Sequence, residues 1–316
     1  MTVINLDYDT LQAELRSWVD ECRPYSREGE TAGYIPALGR VPGDILGAAV
    51  CDLKDRVVEA GDTGHKFTLQ SISKIFSLIL ALEDCGPEIV FGRVGMEPTG
   101  DPFNSIAKLE FTRPSRPLNP MINAGAIMIC DLVGGGTAGE KFRRIRDFVR
   151  RLSSNPHIDV DPEVYESEKS TGHRNRALAY FLKDTAGLKG DVEEILDIYF
   201  KQCSLQVSCR DLAYMGAVLA NEGRLPSSGE PMINPFYCQT ALAFMVTCGF
   251  YNGSGQLAVE VGVPAKSGVS GGILSSAPGR MGIGIIGPGL DLKGNSLAGR
   301  MLLARIAGDL NLSIFA

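Results

Sequence analysis

The hydrophobic positions of this chain change period along its length, and those changes divide it. Leu11, Leu15, Trp18, Val19 and Cys22 recur at helical spacing. They predict an amphipathic first helix, capped by Asp9 and stopped at Pro24. The period then shortens. Leu46–Cys51 is a compact apolar run, Asp52–Asp55 a turn, and Arg56–Ala60 the returning strand of a hairpin. An apolar block follows, with Ile75, Phe76, Leu78, Ile79, Leu80 and Leu82. It is dense enough for a buried helix and ends near Cys85-Gly86-Pro87.

From about residue 100 to about residue 250 helical signals dominate. Residues 119–126 open a small-residue helix that reaches Val133 and breaks at Gly134-Gly135-Gly136. Thr137 and Glu140 have the spacing of a capping box, after which Phe142, Ile145, Val149 and Leu152 point inward. Lys141, Arg143, Arg144, Arg146, Arg150 and Arg151 fall largely on the other faces, the pattern of a solvated surface. Residues 163–170 are polar. Helices are expected at Arg174–Leu182, at Val192–Gln202, from the Ser208 and Asp211 box to Asn221-Glu222-Gly223, and at Phe236–Cys248.

After Gly249 the pattern returns to short strands, at Leu257–Val261, Gly268–Leu274 and Met281–Ile286. Asn295 then caps a last amphipathic helix carrying Leu297, Met301, Leu302, Ile306 and Leu310. Gly282-x-Gly284-x-x-Gly287 has dinucleotide-loop spacing, but Pro288 stands where a helix should begin. It reads instead as a strand closely approached by other backbone. The layout predicts an α/β (α+β) fold. One antiparallel sheet is built from residues 1–105 and 250–316 and flanked by terminal helices. An all-helical region, 106–249, is inserted, and a cleft lies between the two.

Composition narrows the function. The chain has 316 residues, 44% of them hydrophobic, enough for a sizeable core. A net charge of -6 argues against a general nucleic-acid binder. No apolar run reaches the roughly 18–20 residues of a membrane span, and residues 1–7 lack the basic and apolar parts of a signal peptide. The eight cysteines form no C-x-x-C pair, and His65, His157 and His173 are far apart. No metal site is expected. These features suit a reduced, cytoplasmic, cofactor-free protein with neither nucleic-acid nor membrane partners.

The chemistry centres on Gln70-Ser71-Ile72-Ser73-Lys74. In Ser-x-x-Lys, Ser71 and Lys74 share one helix face. A serine hydroxyl needs a base to become a nucleophile, and a lysine desolvated by the apolar block after it can serve. The helix N-terminus adds unpaired N–H groups for an oxyanion. The plainer alternative makes Ser71 a helix cap and Lys74 a surface lysine. Lys266-Ser267-Gly268, about 200 residues downstream in a strand context, favours the catalytic reading. This order, S-x-x-K then K-[ST]-G, is that of serine β-lactamases and penicillin-binding proteins.

The wording around these elements resembles a more specific family, the serine-dependent glutaminases. The blocks are Tyr34-Ile-Pro, Gln70-Ser-Ile-Ser-Lys74, residues 119–127, Ser167-Glu168 and Arg174-Asn175-Arg176-Ala177, then Tyr199-x-x-x-Cys203-Ser204, Cys248-Gly-Phe-Tyr251 and Ala265-Lys-Ser-Gly-Val269. The resemblance runs from about residue 20 to about residue 310. It implies a β-lactamase-like fold and hydrolysis of L-glutamine to L-glutamate and ammonia without metal or organic cofactor. It implies Ser71 as nucleophile, Lys74 as its activator and Tyr251 as proton relay. The Val269 N–H would join that of Ser71 in the oxyanion hole. Glu168 would face the substrate ammonium, with Asn123, Asn175, Tyr34, Tyr199 and Gln70 lining the pocket and Lys266 a further possible member. Among proteins of this kind both homodimers and homotetramers occur, and one of these is expected. Asn252 stands where aspartate would be expected, and Ser270 where glycine or alanine would be. The competing readings are another acyl-serine hydrolase of the same fold, a β-lactamase or esterase, and a non-catalytic amino-acid sensor.

Overall fold

The structure, a computed structural model, describes residues 7–106, 109–110 and 115–316; the expectation about residues 1–6 lies outside them. Five strands form one antiparallel sheet in the order β2-β1-β7-β6-β5. They are β1 (Gly47–Asp52), β2 (Val57–Gly61), β5 (Ala265–Ser267), β6 (Gly272–Ala277) and β7 (Met281–Ile286). A separate two-stranded pair joins β3 (Phe67–Thr68) to β4 (Gln206–Val207). The predicted hairpin is present, with Ala48 opposite Ala60 and Val50 opposite Val58. Strand β1 continues into β7, pairing Val50 with Ile283. Both chain ends therefore build one sheet, as the layout predicts.

Side chains alternate across each strand, so each sheet face meets a different layer. Ala48, Val50, Ile283 and Ile285 face the terminal helices α1 (Tyr8–Cys22) and the final helix Leu297–Asp309, in one core with Leu15, Trp18, Leu302 and Ile306. Ala49, Cys51, Leu274 and Ile286 belong to the second, larger core with the remaining helices. There the helix Cys209–Ala220 lies directly on the sheet. A Cβ on Gly282 would meet the Ala213 carbonyl oxygen at 2.1 Å, and one on Gly284 the Cys209 carbonyl oxygen at 2.1 Å. The glycine-spaced strand is thus a close-approach surface, as its sequence suggested.

The element that carries Ser71 begins as a 3-10 turn, Gln70–Ile72, and continues as α3 (Ser73–Arg93). Its first half is buried through Leu82. Gly86, with φ at 76°, breaks it at the predicted place, and Pro87 starts a second short run. Further helices are the short α2 (Pro36–Gly39), then α4 (Asn123–Leu132), α5 (Ala138–Leu152), α6 (Pro162–Thr171), α7 (His173–Thr185), α8 (Val192–Cys203), α9 (Cys209–Ala220), α10 (Pro235–Cys248), α11 (Ser254–Glu260) and α12 (Leu297–Asp309). Both predicted capping boxes, Thr137 with Glu140 and Ser208 with Asp211, are formed. The basic face of α5 is matched by acids, Arg144 pairing with Asp84 and Arg150 with Asp159.

Four expectations need correction. Residues 257–261 are not a strand but the end of α11 and its cap residue Val261: Leu257 and Val261 are buried one turn apart while Val259 is 89% exposed. The β-branched composition suggested a strand, and the helical period prevailed. Residues 268–271 are a turn, closed by Gly271 N–H to the Gly268 carbonyl, so the strand begins only at Gly272. The cap of α1 is Asp7 rather than Asp9, and that of α12 is Ser296 rather than Asn295. The polar stretch 163–170, to which its sequence assigns no element, is helical and capped by Asp161.

The close approach of α9 gives a stability test. Gly282→Ala is expected to lose about 3 kcal/mol or more, at the upper end of overpacking costs. Gly308, in α12 with open space around it, should gain about 0.5 kcal/mol on replacement by alanine. Urea unfolding midpoints measure both, and equal effects of the two substitutions would contradict the packing described here.

Candidate active site

Four helices and two turns converge on a cavity of about 90 Å³. Gln70 and Ser71 enter it from the turn before α3, Asn123 from the start of α4, Glu168 from α6, Asn175 from α7 and Tyr199 from α8. Val269 enters from the β5–β6 turn and Tyr34 from the segment before Pro36. Eight of the residues singled out from the sequence therefore line one space. Tyr34 stands at its rim, 59% exposed, whereas Ser71, Asn123, Glu168, Tyr199 and Val269 are buried.

Lys74 lies behind the cavity wall, 1% exposed. Neither the turn nor α3 has a side-chain cap, so Ser71 is not a capping serine, and Lys74 is not a surface lysine. The Lys74 Nζ donates to the Met121 carbonyl at 3.1 Å and to Asn123 Oδ1 at 2.8 Å. Burial lowers its pKa from 10.5 to about 8, against the opposing pull of Cys203 and Glu168. Asn123 passes the network on, its Nδ2 donating to Asn175 Oδ1 at 2.8 Å.

Tyr251 sits in a 3-10 turn after α10 and is buried beside Ser71. Burial raises its pKa, while a hydrogen bond from the Ser71 hydroxyl works in the opposite direction. Its own hydroxyl donates to the Ser267 carbonyl at 3.4 Å, and its ring stacks on Phe103 with centroids 4.6 Å apart. Lys266 is fully buried, with Nζ 4.4 Å from the Tyr251 ring centre. It donates to the carbonyls of Gly249 and Ser267, and burial and then the neighbouring Lys74 charge hold its pKa well below the usual lysine range. Gln70 and Tyr251 both have positive φ, 48° and 52°. Such backbone strain in non-glycine residues collects at functional sites.

Glu168 is 7% exposed. Burial raises its pKa from 4.5 to about 7, opposed by a hydrogen bond from Gln70 and by Lys74. The two departures noted in the sequence have different surroundings. Ser270 is buried and its hydroxyl donates to the Thr68 carbonyl at 2.7 Å, tying the Val269 turn to the strand that leads to Ser71. Asn252 is exposed and lines an outer depression beside Tyr251.

The cavity also holds residues that sequence reasoning did not select: Arg174, beside Asn175 in chain order, and Cys203, one helical turn from Tyr199. Both lie inside the quoted blocks, so their adjacency to chosen residues was the available signal. Burial pushes the Cys203 thiol up to about 12, leaving it unreactive. Among the described residues no group of His, Cys, Asp and Glu side chains is arranged to hold a metal ion, and no helix is long and apolar enough to cross a membrane.

The buried Glu168 makes stability depend on pH. The native carboxyl keeps its proton up to about pH 7, whereas the unfolded one loses it near 4.5. The native state therefore binds more protons in that window, and stability falls as pH rises through it. Glu168→Gln should raise thermal stability above wild type by about 1–3 kcal/mol at pH 8, with the gap closing toward pH 4. A gap independent of pH in thermal unfolding would contradict this.

Comparison with known proteins bears on the family and the fold. The glutaminase family model matches residues 29–315. A glutaminase from Clostridium botulinum (strain Loch Maree / Type A3) is 51% identical over 301 residues, covering 95% of this chain and 99% of the relative. The crystal structure of a Bacillus glutaminase in 4.3 M NaCl superposes with a TM-score of 0.90 at 43% identity, covering 96% of this chain and 99% of that one. A Bacillus subtilis glutaminase in covalent complex with 5-oxo-L-norleucine, formed by reaction with 6-diazo-5-oxo-L-norleucine, gives a TM-score of 0.88 at 42% identity, covering 96% and 99%. The fold is the β-lactamase-like one of these structures. With its family match spanning nearly the whole chain and its sheet and helices superposing on theirs, this chain belongs to the glutaminase family.

Proposed function

We propose that this protein is an amidohydrolase that converts L-glutamine to L-glutamate and ammonia through an acyl-serine intermediate on Ser71. The observation that carries the reading is the buried lysine beside the serine. A neutral Lys74 amine has two N–H groups and one lone pair. The Met121 carbonyl and Asn123 Oδ1 engage the two N–H groups, which leaves the lone pair to take the Ser71 proton. With a pKa near 8 the neutral form is accessible close to neutral pH.

Ser71 Oγ attacks the side-chain amide carbon, and the carbonyl π electrons move to oxygen. Among the described residues no protein acceptor takes the Ser71 or Val269 N–H, and these two amides are the proposed oxyanion hole. The proton on Lys74, relayed by the Tyr251 hydroxyl, passes to the amide nitrogen as the C–N bond breaks, and ammonia leaves. Water then attacks the glutamyl ester, with Lys74 again as base, and releases glutamate and Ser71. Glu168 receives the substrate α-ammonium, while Asn123, Asn175, Tyr34, Tyr199 and Gln70 bind the remaining polar groups. Lys266 supports Tyr251 through its amine, which sits over the ring and donates to two carbonyls. In this reading residues 1–105 and 250–316 supply the nucleophile, the oxyanion hole and the Tyr34 and Gln70 part of the clamp, and residues 106–249 supply the rest of the clamp.

The reading extends to a cytoplasmic homodimer or homotetramer. All eight cysteines are free, which suits a reducing compartment. Exposed apolar side chains such as Ile89, Phe236 and Val259 offer surface for association.

Ammonia release from L-glutamine tests the activity, and Ser71→Ala should lower it by at least about 10⁴-fold. Near-wild-type activity in Ser71→Ala would remove the nucleophile assignment. The pH profile tests the electrostatics. Glu168 must be ionised and Lys74 neutral in the free enzyme, so kcat/KM should rise with pH through about 7 to about 8. A profile that is flat between pH 6 and 9 contradicts the roles given to both groups.

A further inference from the structure

Asn295 does not cap the last helix, and its side chain is committed elsewhere. It is 2% exposed. Its Oδ1 accepts from the Ser267 hydroxyl at 2.7 Å, and its Nδ2 donates to the Phe250 carbonyl at 3.4 Å. Its own N–H is held by Asp291 Oδ1 at 2.9 Å, so the amide projects from a fixed turn. The two partners flank Tyr251 from different directions. Phe250 precedes Tyr251 in the chain, at the point where the backbone enters its positive-φ conformation. Ser267 supplies the carbonyl that accepts the Tyr251 hydroxyl.

We propose that Asn295 is a positioning residue for Tyr251, fixing both the backbone that presents the ring and the acceptor that orients its hydroxyl. The inference rests on the proposed relay role of Tyr251. The Tyr251 hydroxyl proton is directed to the Ser267 carbonyl, which leaves an oxygen lone pair facing Ser71. Lys266 alone does not set this geometry. It donates to the same Ser267 carbonyl and to Gly249, but it does not reach Phe250. Without Asn295, the Ser267 hydroxyl retains only its longer bond to the Gly249 carbonyl, at 3.3 Å. The strained turn before Tyr251 also loses a donor. The relay would then be present but displaced, a fault that lowers turnover more than substrate binding.

The test is a double-mutant cycle on ammonia release from L-glutamine. It uses the full chain, with Tyr251→Phe, Asn295→Ala and the double variant. Asn295→Ala should lower kcat about tenfold with KM within twofold of wild type. In the Tyr251→Phe background the same substitution should change kcat by less than twofold, because no hydroxyl remains to be positioned. Ser267→Ala, which cuts the same link from its other end, should behave alike and decides the matter if Asn295→Ala does not fold. A merely structural asparagine would lower kcat equally in both backgrounds, and that result overturns the proposal. So does a kcat for Asn295→Ala within twofold of wild type while Tyr251→Phe is impaired. If Tyr251→Phe itself turns over like wild type, the relay reading fails, and the positioning role falls with it.

Discussion

The site depends on one unfavourable act, the complete burial of the Lys74 ammonium. An isolated charge in such surroundings would be prohibitive, and the protein resolves the conflict by lowering its pKa to about 8 and occupying two N–H groups with Met121 O and Asn123 Oδ1. The burial follows from sequence: Lys74 opens a helix whose next eight residues are all buried. The same low-dielectric surroundings raise Glu168 to about 7 and lift Tyr251 and Tyr199. Basic groups are driven toward their neutral amines and acidic groups toward their protonated forms. One environment thus sets the ionisations of the proposed base, Lys74, and the proposed binding carboxylate, Glu168, within about a unit of each other.

Holding that environment needs rigid walls, and backbone contact supplies much of the rigidity. Helix α9 rests on Gly282 and Gly284 with no side chain between, which clamps the middle of the chain to the sheet. The β5–β6 turn presses on the segment before Ser71 in the same manner, a Cβ on Gly268 meeting the Leu69 carbonyl oxygen at 2.7 Å. Ser270 adds a hydrogen bond across that contact. The turns that carry Ser71 and Val269, almost 200 residues apart in sequence, are held together through these approaches.

Much of this was legible in the sequence because local rules and tertiary packing agree. The hairpin, the capping boxes of α5 and α9, the buried α3 and the Gly86 break each carry their own signal. Blocks such as residues 119–127 and Ala265–Val269 bring the pocket residues with them. The failures occur where the information is not local. Leu257–Val261 has strand composition but buries a helical stripe. The turn at 268–271 hides in a glycine-rich apolar run. Asn295 sits one residue from the true cap, and nothing near it reveals that its partners are Ser267 and Phe250. Distances between sequence-remote side chains are set by the assembled fold and cannot be read from spacing.

The most direct test of the central claim is to locate and time the covalent adduct formed by 6-diazo-5-oxo-L-norleucine on this protein and on Lys74→Met, by peptide mass mapping. The account predicts a 5-oxo-L-norleucine adduct on Ser71 alone, formed at least about 100-fold more slowly when the buried amine is replaced by an apolar side chain of similar length. An adduct on a different residue, or labelling of Lys74→Met at the wild-type rate, would contradict it.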